Sequence, residues 1–425
     1  MTLYRGTFID TPENPFDGAG LRVGSDTGLL VEDGLIVARG PFAELRQAHP
    51  AVQIVDLRDG VVLPGFVDTH VHFPQIRAVG GLGLPLLEWL DRYALPEEAR
   101  MADVDYATGV ANEFVRGLAA AGTTSALVFG AHYTDAVDAL FGAASEVGLR
   151  VTSGLVLSDR LLRPELLTTP VRAYAESLAL ANRWHGAGRN RYAVTPRFSL
   201  SCTDELLATC RELMEAIPGA LFTSHVNESE AEIASVADLF GGCDYVTTYD
   251  RHGLVDRRTV LAHNVHPTDV ELKTLATSGA TVAHCPTSNA ALGSGLFPLT
   301  RHLQFGVRVA LGSDVGAGTG FSLLREGLQA YFMQALLGYP LTSAHLLWMA
   351  TRAGAAALAL DDVGDLSVGR QFDAVWVRPA DGSTLDRVLG HADDADDALA
   401  KVFALACAAD IRGSWVAGTA TRLLS

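Results

Sequence analysis

Eight short apolar segments recur along the chain, and longer segments with helical spacing separate them. Several of the eight are apolar on both faces, which is typical of parallel strands covered by helices. Eight strand–helix units over roughly 250 residues predict an α/β fold, a (β/α)8 TIM-type barrel. A doubly wound sheet stays open as an alternative, because a count of strands does not prove closure. The segments are 61–73, 123–130, 149–157, 191–198, 220–226, 259–264, 280–285 and 307–315.

The two ends of the chain differ from this central pattern. Residues 1–62 and 365–425 contain short strand-like pieces between turns, for example 28–40 and 410–424. Chain ends often lie close together in folded domains. We therefore predict one small β-sandwich-like domain built from both ends, beside a barrel domain of residues 63–364.

Composition narrows the class of protein. The 425 residues are 48% hydrophobic and 19% charged, which is an ordinary globular balance. The formal net charge of −17 argues against nucleic acid or an anionic membrane as a partner. No apolar segment reaches the ~18 residues of a membrane span, and the N-terminal residues do not resemble a secretion signal. The dispersed cysteines form no C-x-x-C pair. Together these features predict a cytoplasmic protein with reduced thiols.

Ionisable side chains end five of the eight predicted strands. Catalytic groups of barrel enzymes lie at the C-terminal ends of the strands, so we expect these side chains on one face. Residues i and i+2 of a strand point the same way, so both histidines of the first strand can face the barrel axis. The residues in question are His70 and His72 (first strand), His225 (fifth), His263 (sixth), His284 (seventh) and Asp314 (eighth).

We predict a metal site formed by His70, His72, His225 and Asp314. Three imidazoles and one carboxylate suit Zn²⁺ or Fe²⁺ and leave a coordination position for water. For any one of these histidines alone, a core residue with satisfied hydrogen bonds would be the simpler interpretation. Barrels with two metal ions usually bridge them with a carboxylated lysine on the fourth strand. Residues 191–198 contain no lysine, so we expect one ion per chain.

Glu228 stands three residues after the predicted ligand of the fifth strand. A metal-bound water has a lowered pKa, and a carboxylate beside it can carry protons from the nucleophile to the leaving group. The alternative is a cap of the helix expected near Ser229. His263 is expected to polarise the surroundings of the attacked carbon or to hold the nucleophile. The roles of His266, which could start the next helix, and of His284, which could line the site, stay open.

These residues resemble those of the amidohydrolase superfamily, and the spacing from His225 to Glu228 resembles that of its aminoheterocycle deaminases. A narrower likeness runs in order from about residue 60 to 335 and points to the guanine deaminase branch. The segments with this likeness are "PGFVDTHVHFPQ", "LPLLEWLDRYALPEEAR", "GTTSALVFG", "TPRFSLSC", "SHVNES", "AHCPTSNAALGSGLFPL" and "LGSDVGAGTGFSLL".

The resemblance implies hydrolytic deamination of guanine to xanthine and ammonia, with one Zn²⁺ (or Fe²⁺) per chain and a metal-bound hydroxide that attacks C2. It assigns the catalytic roles to Glu228, His263 and Asp314. It also implies a homodimer. The substrate contacts that it implies are Gln75, Leu87, Trp89, Arg197 (near O6), Phe198 and His263.

Two other functions compete with this one. The nearest is deamination of another aminoheterocycle, such as 8-oxoguanine, a pterin, cytosine or a triazine, and the residues of the pocket decide between them. The other is a catalytically silent barrel that serves as an assembly protein. Such proteins lose metal ligands, whereas the whole ligand set is present here, which favours an enzyme.

Overall fold

The computed structural model describes residues 1–421. The strands of this part of the chain form two sheets. In chain order the strands are β1 Thr2–Asp10, β2 Arg22–Glu32, β3 Leu35–Pro41, β4 Gln53–Pro64, β5 Phe66–His72, β6 Thr123–Phe129, β7 Arg150–Gly154, β8 Val156–Leu157, β9 Arg191–Pro196, β10 Leu221–Val226, β11 Thr259–His263, β12 Thr281–His284, β13 Arg308–Leu311, β14 Ala374–Val377, β15 Ile411–Val416 and β16 Thr419–Ala420.

Helices connect and cover these strands. None of the helices in residues 1–421 is both long enough and apolar enough to cross a membrane. In chain order they are α1 Phe42–Ala48, α2 Leu86–Trp89, α3 Leu95–Arg100, α4 Val104–Ala120, α5 Thr134–Val147, α6 Pro170–Trp184, α7 Asp204–Ala216, α8 Glu230–Leu239, α9 Tyr245–Asp250, α10 Asp269–Ser278, α11 Pro286–Ala291, α12 Leu299–Phe305, α13 Leu323–Leu336, α14 Ser343–Ala350, α15 Arg352–Ala357, α16 Thr384–Leu389 and α17 Ala395–Leu405.

Eight parallel strands form the barrel, in the order β5-β6-β7-β9-β10-β11-β12-β13, and β8 pairs with β9 beside them. The ring closes between β13 and β5. There Thr69 Oγ1 donates to the carbonyl of Leu311 at 2.8 Å, and the amide of Asp314 donates to the carbonyl of His70 at 2.9 Å. The predicted (β/α)8 barrel is confirmed, and the doubly wound sheet is excluded.

Small and branched side chains fill the barrel interior. They form one buried cluster with residues of α15 and the turn after it, among them Ala355, Leu358 and Val363. A barrel packed in this way has a solid core, which leaves its chemistry to the ends of the strands. The strand residues of the cluster are Val67, Leu127, Ala193, Leu221, Val260, Ala262 and Ala283.

One of the longer segments with helical spacing, residues 103–122, contains α4. Asp103 accepts hydrogen bonds from the amides of Asp105 and Tyr106 and so caps the helix, which stabilises a helix by about 1 kcal/mol. Buried positions such as Val110, Phe114 and the residues one turn further place one apolar face against the barrel.

The remaining seven strands form a second sheet from both ends of the chain, in the order β16-β15-β14-β4-β1-β2-β3. The antiparallel pair of β4 and β14 joins the ends, with Val62 opposite Trp376. Tyr4 stacks on Phe372 with ring centroids 4.3 Å apart. The additional sheet domain built from the termini is therefore confirmed. Its boundaries at 1–62 and 365–425 stay a prediction, and residues 422–425 of that range lie outside the described residues.

Two features refine the predicted boundary between sheet and barrel. The apolar segment 61–73 contains two strands, because the chain passes from β4 to β5 at Gly65. A Cβ at Gly65 would lie 2.3 Å from Thr124 Oγ1, so the two backbones approach closely only with glycine there. In addition, Val402 and Phe403 of α17 belong to the core that the barrel helices share.

The segment between β5 and α4 covers one edge of the barrel mouth. We call residues 73–101 the cover segment. It contains α2, a π-helical turn at Leu90–Ala94 and α3. Trp89 and Leu90 of this segment pack with Phe198, Leu292 and Ala317, which belong to loops that follow barrel strands. The cover segment therefore forms a wall at the end of the barrel where catalytic groups are expected.

Candidate active site

The four predicted metal ligands converge at the C-terminal ends of the strands. The Nε2 atom of His72 lies 3.2 Å from the Nε2 atoms of both His70 and His225. Asp314 Oδ1 lies 3.3 Å from His70 Nε2 and 3.4 Å from His72 Nε2. The ligand atoms of His70, His72 and Asp314 thus lie within 4.8 Å of one another, and so do those of His70, His225 and His263.

Burial prepares these groups to bind a cation. It lowers the pKa of His72 to about 3, and it also lowers the pKa of His70 and of His225, so the imidazoles are neutral near pH 7 and have a free lone pair. Burial raises the pKa of Asp314, but its hydrogen bond to His70 and the nearby imidazoles outweigh burial and hold that pKa well below its usual value. The chemistry of this donor set fits one divalent ion.

A hydrogen bond behind the cluster orients one of these imidazoles. His225 Nδ1 donates to the carbonyl of Arg197 at 2.6 Å, which turns His225 Nε2 towards the other ligand atoms. Such a bond on the far nitrogen is usual for a metal-binding histidine, because it selects the tautomer whose other nitrogen is free.

Glu228 is not the cap of α8. Ser229 caps that helix, since its side chain accepts from the amide three residues on. The carboxylate of Glu228 lies 3.4 Å from His263 Nε2 and accepts a hydrogen bond from Ser294 Oγ, also at 3.4 Å. Burial and the negative charge of Asp314 raise the pKa of Glu228 well above its usual value. A carboxyl group beside the ligand cluster can act first as the acceptor and then as the donor of a proton.

His263 lies between this carboxylate and Asp314. Its Nε2 is 3.9 Å from Asp314 Oδ2, and its Nδ1 is 3.1 Å from Asn289 Oδ1. An amide oxygen only accepts hydrogen bonds, so Nδ1 carries the proton and Nε2 is free to accept one.

Four non-glycine residues at the site have a left-handed backbone: Asn227 (φ 49°), His263 (φ 74°), Asn264 (φ 48°) and Asp314 (φ 47°). This conformation is uncommon for such residues and persists where the surrounding structure enforces it. Each follows or ends a barrel strand, where the chain must turn sharply to direct a side chain into the mouth.

A pocket adjoins the cluster. Of the predicted substrate contacts, Gln75, Trp89, Arg197, Phe198 and His263 line it. The complete lining comprises His72, Gln75, Leu86, Trp89, Leu90, Arg197, Phe198, His225, Glu228, His263, Leu292, Asp314 and Ala317.

The structure does not place the predicted contact Leu87 in this pocket. Its side chain is 37% exposed, and the pocket is lined instead by Leu86 and Leu90. Residues 86 and 90 are one turn apart on a continuous helical stretch and share a face, whereas residue 87 is rotated by about 100° from residue 86.

The two histidines whose roles were open lie outside this pocket. His266 Nε2 bonds to the carbonyl of Ser294 at 2.6 Å, and it does not start α10, which Thr268 caps. His284 stacks on Phe297 with ring centroids 4.2 Å apart. Neither is among the residues that line the pocket.

Two residues without a predicted role hold site residues in place. Asn289 contacts His263, and Glu98 contacts both Gln75 and Arg197. Both residues lie in segments that show the family resemblance. Their positions relative to the predicted strands and ligands do not indicate a role at the site. Glu97, the residue before Glu98, is also a glutamate, so the sequence does not show which of the two faces the site.

Comparisons with known proteins agree with this geometry. The model of the amidohydrolase family matches residues 61–421. A probable guanine deaminase of Deinococcus radiodurans is 58% identical over 429 residues, which cover 98% of each chain. The solved structure of Escherichia coli guanine deaminase has a TM-score of 0.95 at 36% identity and covers 99% of both chains.

A second solved structure that resembles this chain contains a bound purine base. Guanine deaminase from C. acetobutylicum, with guanine bound in the active site, has a TM-score of 0.92 at 26% identity and covers 99% of both chains. The likeness therefore spans the barrel, the composite sheet and the cover segment together. The chain belongs to the amidohydrolase family, in the branch that includes the guanine deaminases.

Proposed function

We propose that the protein hydrolyses guanine to xanthine and ammonia. The observation that carries the proposal is that one pocket is lined both by residues of the ligand cluster and by Gln75 and Arg197, whose side chains can hydrogen-bond the edge of a purine. We call Gln75 and Arg197 the base-reading side chains. In this reaction water adds to C2 of the ring, the C2–N bond to the exocyclic amino group breaks, and ammonia leaves.

One metal ion, Zn²⁺ in our proposal, would be held by His70, His72, His225 and Asp314. The nitrogen-rich donor set with one carboxylate suits zinc and would also accept Fe²⁺. Such an ion lowers the pKa of a coordinated water and so supplies a nucleophile at neutral pH. Strand β9 contains no lysine that could bridge a second ion, which supports a single one.

Glu228 would move the protons. It accepts a proton from the attacking water, delivers it to ring N3 and then assists the departure of ammonia. Its raised pKa favours the protonated form between the two transfers, because burial disfavours the anion. His263, with Nδ1 bonded to Asn289, presents Nε2 as an acceptor that holds the attacking water in line. Asp314 could accept the second proton of the water.

The other wall of the pocket would select the base. Arg197 would donate to the carbonyl oxygen O6, and Gln75 would bond to the adjacent ring nitrogen. Phe198 and Trp89 are 4% and 2% exposed, and their rings would enclose the purine plane. A site built to hydrogen-bond a group discriminates strongly against substrates that lack it.

The test is ammonia release by the purified protein with guanine, adenine, cytosine, pterin and ammeline. We expect guanine to be the preferred substrate, and elemental analysis to find close to one equivalent of zinc or iron per chain. Faster turnover of another ring would reassign the substrate, and two equivalents of metal in fully active enzyme would rule out the site described. Size-exclusion chromatography tests the predicted homodimer, and fractionation of cells tests the predicted cytoplasmic location.

A further inference from the structure

Glu98 in α3 is a buried carboxylate that contacts both base-reading side chains. It is 2% exposed. Arg197 Nη1 lies 2.6 Å from Glu98 Oε1 and 2.5 Å from Oε2. Gln75 Nε2 lies 2.7 Å from Oε1, and His132 Nε2 lies 3.2 Å from Oε2. Three groups that follow three different barrel strands therefore meet at one anion.

The contact between Glu98 and Gln75 determines which way the amide of Gln75 faces. Burial raises the pKa of Glu98, but Arg197 outweighs burial, so the pKa lies well below its usual value and the group is a carboxylate that only accepts. At 2.7 Å the atom facing it must be the amide nitrogen. The same nitrogen lies 3.3 Å from His72 Nδ1, but the contact with the charged carboxylate is shorter and stronger, so Glu98 determines the orientation of the amide.

Because Glu98 binds the amide nitrogen of Gln75, the amide oxygen Oε1 faces away from Glu98. A Cβ at Gly316 would lie 2.2 Å from this oxygen, so only glycine leaves room for it. The pocket wall therefore presents an acceptor on Gln75 beside the donors of Arg197, in a fixed order. Without the carboxylate, the amide of Gln75 could rotate and exchange its acceptor for a donor.

This order matches one kind of purine edge. In guanine, N1–H is a donor and the adjacent C6=O is an acceptor, which is the pattern of a lactam. In 2,6-diaminopurine, N1 is an acceptor and the 6-amino group is a donor, so both contacts would be mismatched. A buried polar group left without a partner costs far more than a satisfied one gains.

We propose that Glu98 is a positioning residue that fixes the donor–acceptor order of Gln75 and Arg197, and thereby selects purines with a lactam edge over those with an amidine edge. The proposal rests on the proposed function, because it concerns how the same pocket reads guanine. Glu98 acts only through its two partners.

The test compares guanine with 2,6-diaminopurine, measured as kcat/KM by ammonia release in the metal-loaded protein. Both bases carry an amino group on C2, so the same bond breaks and only the edge at position 6 differs. The wild-type protein should prefer guanine by roughly 10²–10⁴-fold. Glu98→Gln should lower this ratio at least tenfold, mainly through loss of activity on guanine, because a neutral amide lets Gln75 and Arg197 reorient.

Glu97→Gln is the matched control. Glu97 is the neighbour of Glu98 on the same helix, but it pairs with Arg100 at 2.8 Å and with Tyr106, neither of which lines the pocket. This variant should keep the wild-type ratio within about twofold, since surface ion pairs contribute little.

A second variant covers the case in which Glu98→Gln does not fold. Glu98→Asp keeps the negative charge beside Arg197 but is one methylene shorter, so it cannot hold both partners, and it should lower the ratio several-fold. If a folded, metal-loaded Glu98 variant loses activity equally on both bases, Glu98 is merely structural and the inference is overturned. If the wild-type protein releases no ammonia from guanine, the proposed function fails instead.

Discussion

The two walls of the pocket are built in different ways. On the metal side, His70, His72, His225 and His263 end barrel strands, where the hydrogen-bonded register of the sheet holds the backbone. On the base-reading side, Gln75, Trp89 and Glu98 belong to the cover segment, which joins no strand. Of the predicted substrate contacts on this side, only Arg197 and Phe198 directly follow a barrel strand, β9. The difference teaches that the choice of base rests largely on a part of the chain that holds none of the four predicted metal ligands. Specificity can therefore change without loss of the ligand cluster.

Removal of one predicted metal ligand at the end of a barrel strand should have the largest effect. His225→Ala should lose bound metal and activity together, because loss of one of four ligands opens the coordination shell. Elemental analysis and turnover of guanine, measured on the same sample, check this. His252→Ala is the control, because His252 pairs with Asp204 at the surface. Full metal content in the His225 variant would contradict the ligand assignment.

Glu228→Gln tests whether a residue on the metal side of the pocket acts in catalysis without binding the metal. Glutamine keeps the volume and reach of the side chain but cannot accept the proton of water, so turnover should fall by about 10²–10⁴ while metal and fold remain. Glu230→Gln, at an exposed position two residues on, is the control. If the glutamine variant loses metal, Glu228 is a ligand. If it works at a near-normal rate, Asp314 becomes the candidate base.

Arg197→Ala tests the base-reading wall. Loss of the charged donor should weaken the transition state by about 2–4 kcal/mol, with bound metal unchanged. It should also lower the free energy of unfolding by about 3–5 kcal/mol, because Glu98 is left as a buried unpaired charge. Steady-state kinetics and thermal unfolding check the two effects. If kcat/KM for guanine stays within a factor of two, Arg197 is only a structural partner of Glu98.

The smallest expected effect distinguishes two neighbouring leucines of the cover segment. Leu86→Ala should raise KM for guanine by roughly tenfold, because it removes apolar surface from the pocket. Leu87→Ala should leave KM within about twofold, because that side chain faces solvent and exposed substitutions have small effects. A larger rise in KM for Leu87→Ala than for Leu86→Ala would show that Leu87 contacts the substrate. Both variants should keep their metal.

The sequence predicted the metal side of the molecule better than the base-reading side. Placing His70, His225 and Asp314 needs only the apolar pattern of the strands and the rule that barrel chemistry lies at their C-terminal ends. The break at Gly65 could not be predicted, because it depends on contact with Thr124 from the next strand.

The cover segment offers no such regular pattern. Helix α2 has only four residues and leads into a π-helical turn, so periodicity could not decide which of Leu86 and Leu87 faces the pocket. Glu97 and Glu98 are identical in type and adjacent in sequence. They are distinguished by the contacts of Glu98 with Gln75, His132 and Arg197, which lie 23, 34 and 99 residues away in the sequence.

The pairing of β4 with β14 has a consequence for how the chain is made. Strand β4 ends at Pro64, and its partner begins at Ala374, so the ribosome adds roughly 300 residues between them, which takes about 15–60 s at ordinary elongation rates. During that time the edge of β4 that later pairs with β14 has no partner strand. An unpaired edge is where nascent chains associate wrongly. Protection of this edge during synthesis, for example by a chaperone, should therefore raise the yield of folded protein.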